Sequence, residues 1–387
     1  MRLFRSPEPI RGPRRSASDG ALGRVDRIAY GAAVLGPRSV IVATAALSIV
    51  PGAAADSAAA WGWNVSGQAT VPASTGPVRA VAGGYYHSLA VRSDGTVAAW
   101  GFNGNGQCNV PSTLSSVVAV AGGKECSMAL RADGTIVVWG GTGYGEGNVP
   151  AGLLAKSIAA GDYHALAIRT TGSVVAWGLN TSGQATVPAT LGAAKSISAG
   201  SCHSLAVQTT GRVVAWGCDT AGQCAVPPTL TGVVQVAAGE SHSVAARSTG
   251  AVVAWGSNAQ GQCAVPAGLG FARQVAAGAQ HTLVLLEGGD VVAFGSNAYG
   301  QCSVPGTLGI AAGIAAGSYH SLADLQGVSN AFCLGDLNLD RAVDGDDLGR
   351  LLSSWGPAPD SPADLTRDGV VDGDDLGQML GAWGPCG

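Results

Sequence analysis

The 387-residue sequence is short of charge and of rings: 12% of its residues are charged and 5% aromatic, while 60 are glycine. That balance excludes a disordered polar chain and leaves a globular one whose core is made of small and β-branched side chains. Long apolar runs are also missing. The longest near the start, "VIVATAALSIV" (40–50), has 11 residues, well below the roughly 20 needed to cross a bilayer. Between 56 and 332 the chain has 10 basic and 11 acidic residues and no sequence stripe of Lys and Arg, so this part has no electrostatic footprint for nucleic acid. The paired carboxylates of a hydrolase are not apparent either: those acids stand singly in loops or in Asp-Gly turns, such as Asp94 and Asp133.

What the sequence has in abundance is repetition. Trp-Gly recurs at Trp61, Trp100, Trp139, Trp177, Trp216 and Trp255, with Phe294 in the seventh slot, at steps of 38 or 39 residues. Behind each ring usually follow Asn-x-x-Gly-Gln and Val-Pro, then an apolar run, a Gly, and His-Ser-Leu-Ala or a variant of it. The His slot holds all six histidines (His87, His164, His203, His242, His281 and His320), with Cys126 in the remaining unit. Runs such as "SVVAVAGG", "CSMALRADG" and "TIVVWGG" (116–141) are short, β-branched and separated by Gly or Asp-Gly, the pattern of strands joined by tight turns. No unit has room for a helix. A period near 40 with several strands per unit predicts an array in which each unit buries its faces against its neighbours.

The array begins at "AAAWGWN" (58–64), a closing strand without its opening, and stops at "AAGSYHSLADLQ" (315–326), an opening without its closing strand. Joining the two fragments makes seven whole blades and removes the exposed edges. The expected fold is therefore all-β: a closed seven-bladed β-propeller over 56–327, its last blade completed by both chain ends, with Ala60 close to Leu322. The repeat histidines read as hydrogen-bonding joints between blades, because zinc needs its ligands about 2.0–2.3 Å from one point. The serine after each slot faces the opposite side of its strand and cannot pair with the adjacent histidine. Regular burial between blades explains the Trp-Gly pairs. "GGTGYGEG" (140–147) lacks the strand, helix and Lys of a phosphate loop and is a divergent repeat loop.

Residues 1–55 carry eight Arg against three acids, then the apolar run and "PGAAA", the plan of a secretory signal peptide cleaved after Ala55. The expected location is secreted or on the cell surface. Nine cysteines in an exported chain imply disulfides; Cys333 with Cys386 is one candidate pair and Cys218 with Cys224 a weaker one, while Cys108, Cys224, Cys263 and Cys302 fill one repeat slot.

The segment 333–387 differs from everything before it, with 3 Arg and 11 Asp. "DLNLDRAVDGDD" (336–347) and "DLTRDGVVDGDD" (364–375) repeat 28 residues apart. Oxygen side chains at loop positions 1, 3, 5, 9 and 12, with a backbone carbonyl at 7, suit a hard cation such as calcium. One site would take Asp336, Asn338, Asp340, Ala342, Asp344 and Asp347, the other Asp364, Thr366, Asp368, Val370, Asp372 and Asp375. Each loop runs into a short amphipathic helix, "DLGRLLSSWG" or "DLGQMLGAWG". The tail resembles a type I dockerin, which implies a small α-helical domain of paired calcium loops and a cohesin-like partner. It departs from that pattern at Arg341, where such loops carry Gly, at Thr366, and at Gly345-Asp346 and Gly373-Asp374, where they often carry Ser-Thr.

The pattern His-Ser-Leu-Ala…Trp-Gly-x-Asn-x-x-Gly-Gln…Val-Pro over 58–326 resembles the regulator-of-chromosome-condensation repeat propellers, and its short unit is most similar to the propeller-type β-lactamase inhibitory proteins. That resemblance implies a recognition face built from aromatic residues just before the His slot, here Tyr85, Tyr86, Tyr163 and Tyr319. The reading is of an exported, non-enzymatic and monomeric recognition protein that binds a protein or glycan, with an extracellular carbohydrate-active enzyme as the alternative.

Overall fold

The computed structural model describes residues 57–325 without a break and, beyond them, 337, 342–343, 345–357, 361, 363–366, 370–381 and 384–385. The signal-peptide expectation for 1–55, the ligand positions Asp336, Asn338, Asp340, Asp344 and Asp368, and the Cys333–Cys386 pairing lie outside the described residues.

Each repeat forms one antiparallel three-stranded sheet, and there are seven of them. In the first blade, the first, middle and third strands are Val78–Gly83, His87–Arg92 and Val97–Gly101. The Asp-Gly turn between the last two closes as the sequence implies: the Asp94 carboxylate accepts the Thr96 N–H at 2.8 Å, and Gly95 takes φ +79°. The first strand of every blade carries a bulge after its first residue, as at Val78/Ala80 and Val117/Ala119. The next five blades begin at Val117, Ala155, Ala194, Val233 and Ala272. The seventh sheet takes Ala311–Ala316 and His320–Leu325 from the end of the array and Ser57–Gly62 from its beginning. In its register Ala60 pairs with Leu322 and Trp61 with Ser321.

The core lies between sheets rather than within one. Trp139 of the second blade packs on Leu89 and Val91 of the first, and Trp61 packs on Leu283 and Leu285 of the sixth. Leu322 of the seventh blade meets Val78, Ala90 and Trp100 of the first. Phe294 fills the same buried role where Trp is replaced. At about 25 cal/mol per Å², one such ring contributes roughly 4 kcal/mol of burial. Each indole also donates to the backbone of the preceding loop, as Trp100 Nε1 does to Gln68 O at 2.9 Å. The Asn-x-x-Gly-Gln motif braces that loop: the Asn64 side chain accepts the Ala69 N–H, and the buried Gln68 side chain accepts the Ser66 N–H.

In the tail, helices α1 (Gly345–Ser353) and α2 (Gly373–Gly381) start two residues before the expected helical runs and share a core of Leu337, Val343, Leu351, Ala363, Val371 and Met379. Arg350 of α1 forms an ion pair with Glu287 at a turn of the sixth blade. Among the described residues no helix is long and apolar enough to cross a membrane.

Candidate recognition face

The chemistry of the histidine slot decides whether a reactive site exists there. Each imidazole reaches the hydroxyl of the next blade, 40 residues on: His87 Nε2 lies 2.9 Å from Ser127 Oγ, His203 3.1 Å from Ser243, and His242 3.0 Å from Thr282. His320 Nε2 lies 2.8 Å from Ser88 Oγ, joining the last blade to the first. Every one of these hydroxyls also donates to a Gln carbonyl, as Ser127 does to Gln107 O at 2.8 Å. A hydroxyl has one proton to give. Nε2 therefore carries the hydrogen and donates, and Nδ1 is a bare acceptor packed against a glycine of its own turn. Burial holds all six imidazoles far below their ordinary value, at about 4 for His87, His164 and His242 and about 3 for His203, His281 and His320. These groups are neutral joints, as the sequence reading had them. The His–Ser pairing across blades was not foreseen; its signal is a Ser one residue beyond the repeat period.

One joint is missing. Cys126 takes the His place in the second blade, and its partner position in the third is Ala165 instead of Ser. Burial pushes the Cys126 thiol up to about 12.

The loops just before the His slot surround a narrow axial space and are tied to one another through the backbone. Tyr85 N–H donates to Gly123 O at 3.1 Å, Asp162 N–H to Gly200 O at 3.3 Å, and Ser318 N–H to Gly84 O at 3.2 Å. Glycine is required at this approach: a Cβ on Gly83 would stand 2.3 Å from Gly317 N. On this stiff collar three of the four expected tyrosines converge, with Tyr85 and Tyr86 edge-to-face at 4.4 Å and Tyr86 and Tyr319 stacked at 6.3 Å. Three further rings complete the group. Trp63 stacks on Tyr299 at 4.9 Å and meets Tyr86 edge-on at 4.9 Å, and Phe102 lies 6.4 Å from Tyr86. Tyr163 stands apart from that cluster, against Tyr144 at 4.3 Å. The link between the two groups is Lys124, whose ammonium lies 4.9 Å from the Tyr85 ring, 5.0 Å from the Tyr163 ring and 3.9 Å from the Asp162 carboxylate. A cavity of about 290 Å³ opens among Trp63, Val65, Tyr85, Tyr86, Phe102 and Lys124. Burial raises the Asp162 carboxyl, offset in part by the Ser201 hydroxyl at 2.9 Å and by Lys124. Glu240 is raised as well, by burial and by the charge of Asp162.

The near-neutral charge balance is an average over two unlike ends. The loops at the rim end carry five acids, Glu125, Glu146, Asp162, Asp219 and Glu240, and one cation, Lys124. The opposite end gathers the other nine cations: Arg79, Lys156, Lys195 and Arg273 at the second residue of first strands, Arg92, Arg131, Arg169 and Arg247 at the ends of middle strands, and Arg212. Some of these serve the fold. Arg92 spends its donors on Thr75 O, Thr96 Oγ1 and Val97 O.

Cys218 pairs with Cys202, Cα to Cα 5.6 Å, and not with Cys224, whose thiol donates to Cys218 O. Cys108, Cys224, Cys263 and Cys302 are free thiols, pushed up to about 11 by burial. In the second tail loop Asp375 accepts the N–H groups of Thr366 and Asp372, each at 2.8 Å, and the Thr366 hydroxyl points at Asp364 at 3.4 Å. In the first, Asp347 accepts the Leu337 N–H at 2.7 Å. Among the described residues no cluster of three or more His, Cys, Asp or Glu is arranged to hold a metal ion.

The family described as "Regulator of chromosome condensation (RCC1) repeat" matches residues 78–107, 155–184, 194–223, 233–262 and 272–301. The second blade, with Cys126 and Glu146 in place of His and Gln, is not among the matched segments. No curated protein sequence matches. Among solved structures, Prp20p from Saccharomyces cerevisiae superposes with a TM-score of 0.61 at 17% identity, covering 77% of this chain and 94% of that one. Human WBSCR16 gives 0.58 at 18% identity, with 71% and 100% covered. The ectodomain of the receptor kinase CR4 from Physcomitrella patens gives 0.54 at 24%, with 66% and 72% covered. The chain thus carries RCC1-type repeats, built as seven three-stranded blades that resemble the RCC1 propeller.

Proposed function

We propose that this chain is an exported, non-enzymatic recognition protein whose propeller closes through its two chain ends and whose aromatic rim binds a macromolecular partner. The observation that carries the reading is the cluster of Trp63, Tyr85, Tyr86, Phe102, Tyr299 and Tyr319 around an open cavity on a collar of backbone hydrogen bonds. Aromatic anchors on a rigid support are what binding energy concentrates on. Closure is supported by the Ala60–Leu322 register together with the Ser318–Gly84 and His320–Ser88 hydrogen bonds. The short repeat and the loop aromatics favour a plan like that of the propeller-type β-lactamase inhibitory proteins, without pointing to β-lactamase as the target. Of the structures similar in fold, one is described as yeast RCC1 bound by Kap60, and the other with its binding to Gsp1p and histones. These precedents favour a protein over a glycan here, as does Trp63, whose ring is covered by Tyr299 on one face.

In the same reading residues 1–55 are a cleaved leader, and 333–387 is a dockerin-like domain that binds two calcium ions and attaches the propeller to a cohesin-like partner. The fit to calcium is supported by the all-oxygen side chains and by the second loop, where Thr366 at position 3 reaches Asp364 at position 1 through its hydroxyl and Asp375 at position 12 through its backbone N–H. In such a site these carboxylates would supply hard ligands for the ion. Capture from the source envelope and medium, with the chain lacking 1–55, tests both halves. Tyr86→Ala should abolish capture by the propeller, and chelation should remove only partners held by the tail. Capture unchanged by Tyr86→Ala and Phe102→Ala would overturn the rim as the binding face. Chelation should also unfold the tail while leaving the propeller's melting transition in place.

A further inference from the structure

Taking the aromatic rim as the recognition surface, its packing and charge narrow the partner. The rings spend their faces on one another: Trp63 stacks on Tyr299 and meets Tyr86 and Tyr319 edge-on. What they offer outward is an apolar cleft, walled by Trp63, Tyr86 and Phe102 and continued at its lip by Val65, 81% exposed. A cavity of about 290 Å³ suits one large side chain pushed in from outside.

Tyr85 is shared by this cleft and by the axial mouth, which is also lined by Asp162, Ser201 and Glu240. At the join lies a place that already holds a cation. The Lys124 ammonium sits between two tyrosine rings and beside Asp162, the set of contacts by which proteins hold ammonium and guanidinium groups. Lys124 is the single cation against five acids at this end of the propeller, so the rim stays negative after that internal pairing, and among the described residues Lys124 is the cation whose charge acts on Glu240. An acidic partner would have to approach like charge.

We infer that the rim receives a protein segment that buries one apolar or aromatic side chain between Trp63, Tyr86 and Phe102 and sets an adjacent Lys or Arg against Tyr85, Asp162 and Glu240, displacing the Lys124 ammonium that fills this cation site in the free protein. Lys124 is then a competitor built into the chain, and Glu125 beside it receives the displaced charge.

The sign of the Lys124 effect tests this directly. Three acetylated and amidated peptides, Gly-Trp-Lys-Gly, Gly-Trp-norleucine-Gly and Gly-Trp-Glu-Gly, are titrated into the full chain by calorimetry and ligand-observed NMR. The lysine peptide should bind about fivefold more tightly than the norleucine peptide, with the glutamate peptide weakest. Lys124→Met should tighten the lysine peptide by about the same factor and leave the norleucine peptide unchanged. Phe102→Ala, at a residue 40% exposed, should weaken all three. Weaker binding of the lysine peptide to Lys124→Met, a glutamate peptide that binds as well as the lysine one, or no binding by any peptide would overturn the inference. Equal binding of all three that Phe102→Ala abolishes would remove the charge assignment and leave the rim as a recognition surface. Failure of that wider reading shows elsewhere, as partner capture indifferent to Tyr86→Ala.

Discussion

Six of the seven joints between blades are stitched by a histidine and a hydroxyl, and one is not. Between the second and third blades both members are gone together, His becoming Cys126 and Ser becoming Ala165. Loss of the hydroxyl alone would strand a buried Nε2–H, at about 1–3 kcal/mol, whereas loss of the histidine alone leaves the hydroxyl still donating to its Gln carbonyl. Loss of both leaves an apolar contact, which can be nearly neutral. The comparison shows that the repeated unit is not the blade but the joint, whose two halves lie 40 residues apart and belong to different blades.

Acid should separate the two kinds of joint most strongly. Each buried imidazole is neutral when folded, with a value of about 3 to 4, and titrates near 6.5 when unfolded. The unfolded chain therefore binds more protons below 6.5, and stability is complete above that pH and falls as pH drops towards 4. Each histidine contributes about 1.4 kcal/mol per pH unit, so six of them exhaust a typical stability of about 5–15 kcal/mol within roughly two units. The propeller should unfold near pH 5, far above the folded values, with uptake of about six protons. The Cys126 joint adds none, since its thiol is neutral in both states. Denaturant midpoints measured from pH 7.5 to 4.5 check this, and a flat profile would show that the imidazoles do not carry acid sensitivity.

Next in size come substitutions that strike a joint from within. A Cβ on Gly239 would stand 2.3 Å from His242 Cε1 and 2.5 Å from Gly278 O, whereas on Gly123, at the Cys126 joint, the nearest atom is Cys126 Sγ at 2.9 Å. Gly239→Ala should cost about 3 kcal/mol and Gly123→Ala about half of that, because at Gly123 the sulfur can shift and the nearest backbone atom, Gly161 O, stands at 3.0 Å instead of 2.5 Å. Ser243→Ala, which strands His203 Nε2–H and takes one donor from Gln223 O, should cost about 2 kcal/mol. Chemical denaturation orders the three variants; equal losses for the two alanine-for-glycine changes would mean that the joints are alike after all.

Much of this was legible in the sequence because a repeat displays its own constraints. Trp-Gly at a fixed step placed the buried rings, and the two incomplete units at the ends of the array placed Ser57–Gly62 beside His320–Leu325. What composition hid was anything that depends on which end of a strand a residue occupies. Ten cations and eleven acids read as neutral, yet Lys124 alone stands at the rim, and that becomes visible only when units are aligned slot by slot. The rim itself was half seen. Tyr85, Tyr86 and Tyr319 came from one slot, but Trp63 and Phe102 come from the slot two residues after Trp-Gly begins, and Tyr299 from the Asn-x-x-Gly loop. They meet because the seventh blade packs against the first, a fact of tertiary contact and not of local pattern. Cys202 with Cys218 was missed for a similar reason: the two loops are 16 residues apart in sequence and are brought together by the pairing of the middle and third strands of one blade.

The smallest expected effect is also the most specific to the odd joint. Cys126→His alone should destabilise, because a ring enters beside Ala165 with no hydroxyl to receive its Nε2–H. Ala165→Ser alone should be close to neutral, since its hydroxyl can donate to Glu146 O, which now accepts only Trp177 Nε1 at 2.7 Å. Together the two changes rebuild the stitch found at the other six joints, and the double variant should be more stable than the sum of the singles by about 1 kcal/mol. It should also take up one more proton on acid unfolding than the parent chain, a readout that a general packing gain would not move. A double-mutant cycle with no coupling would mean that this joint lost more than its two side chains, and Glu146, in the place of the usual buried Gln, is the first residue to revert.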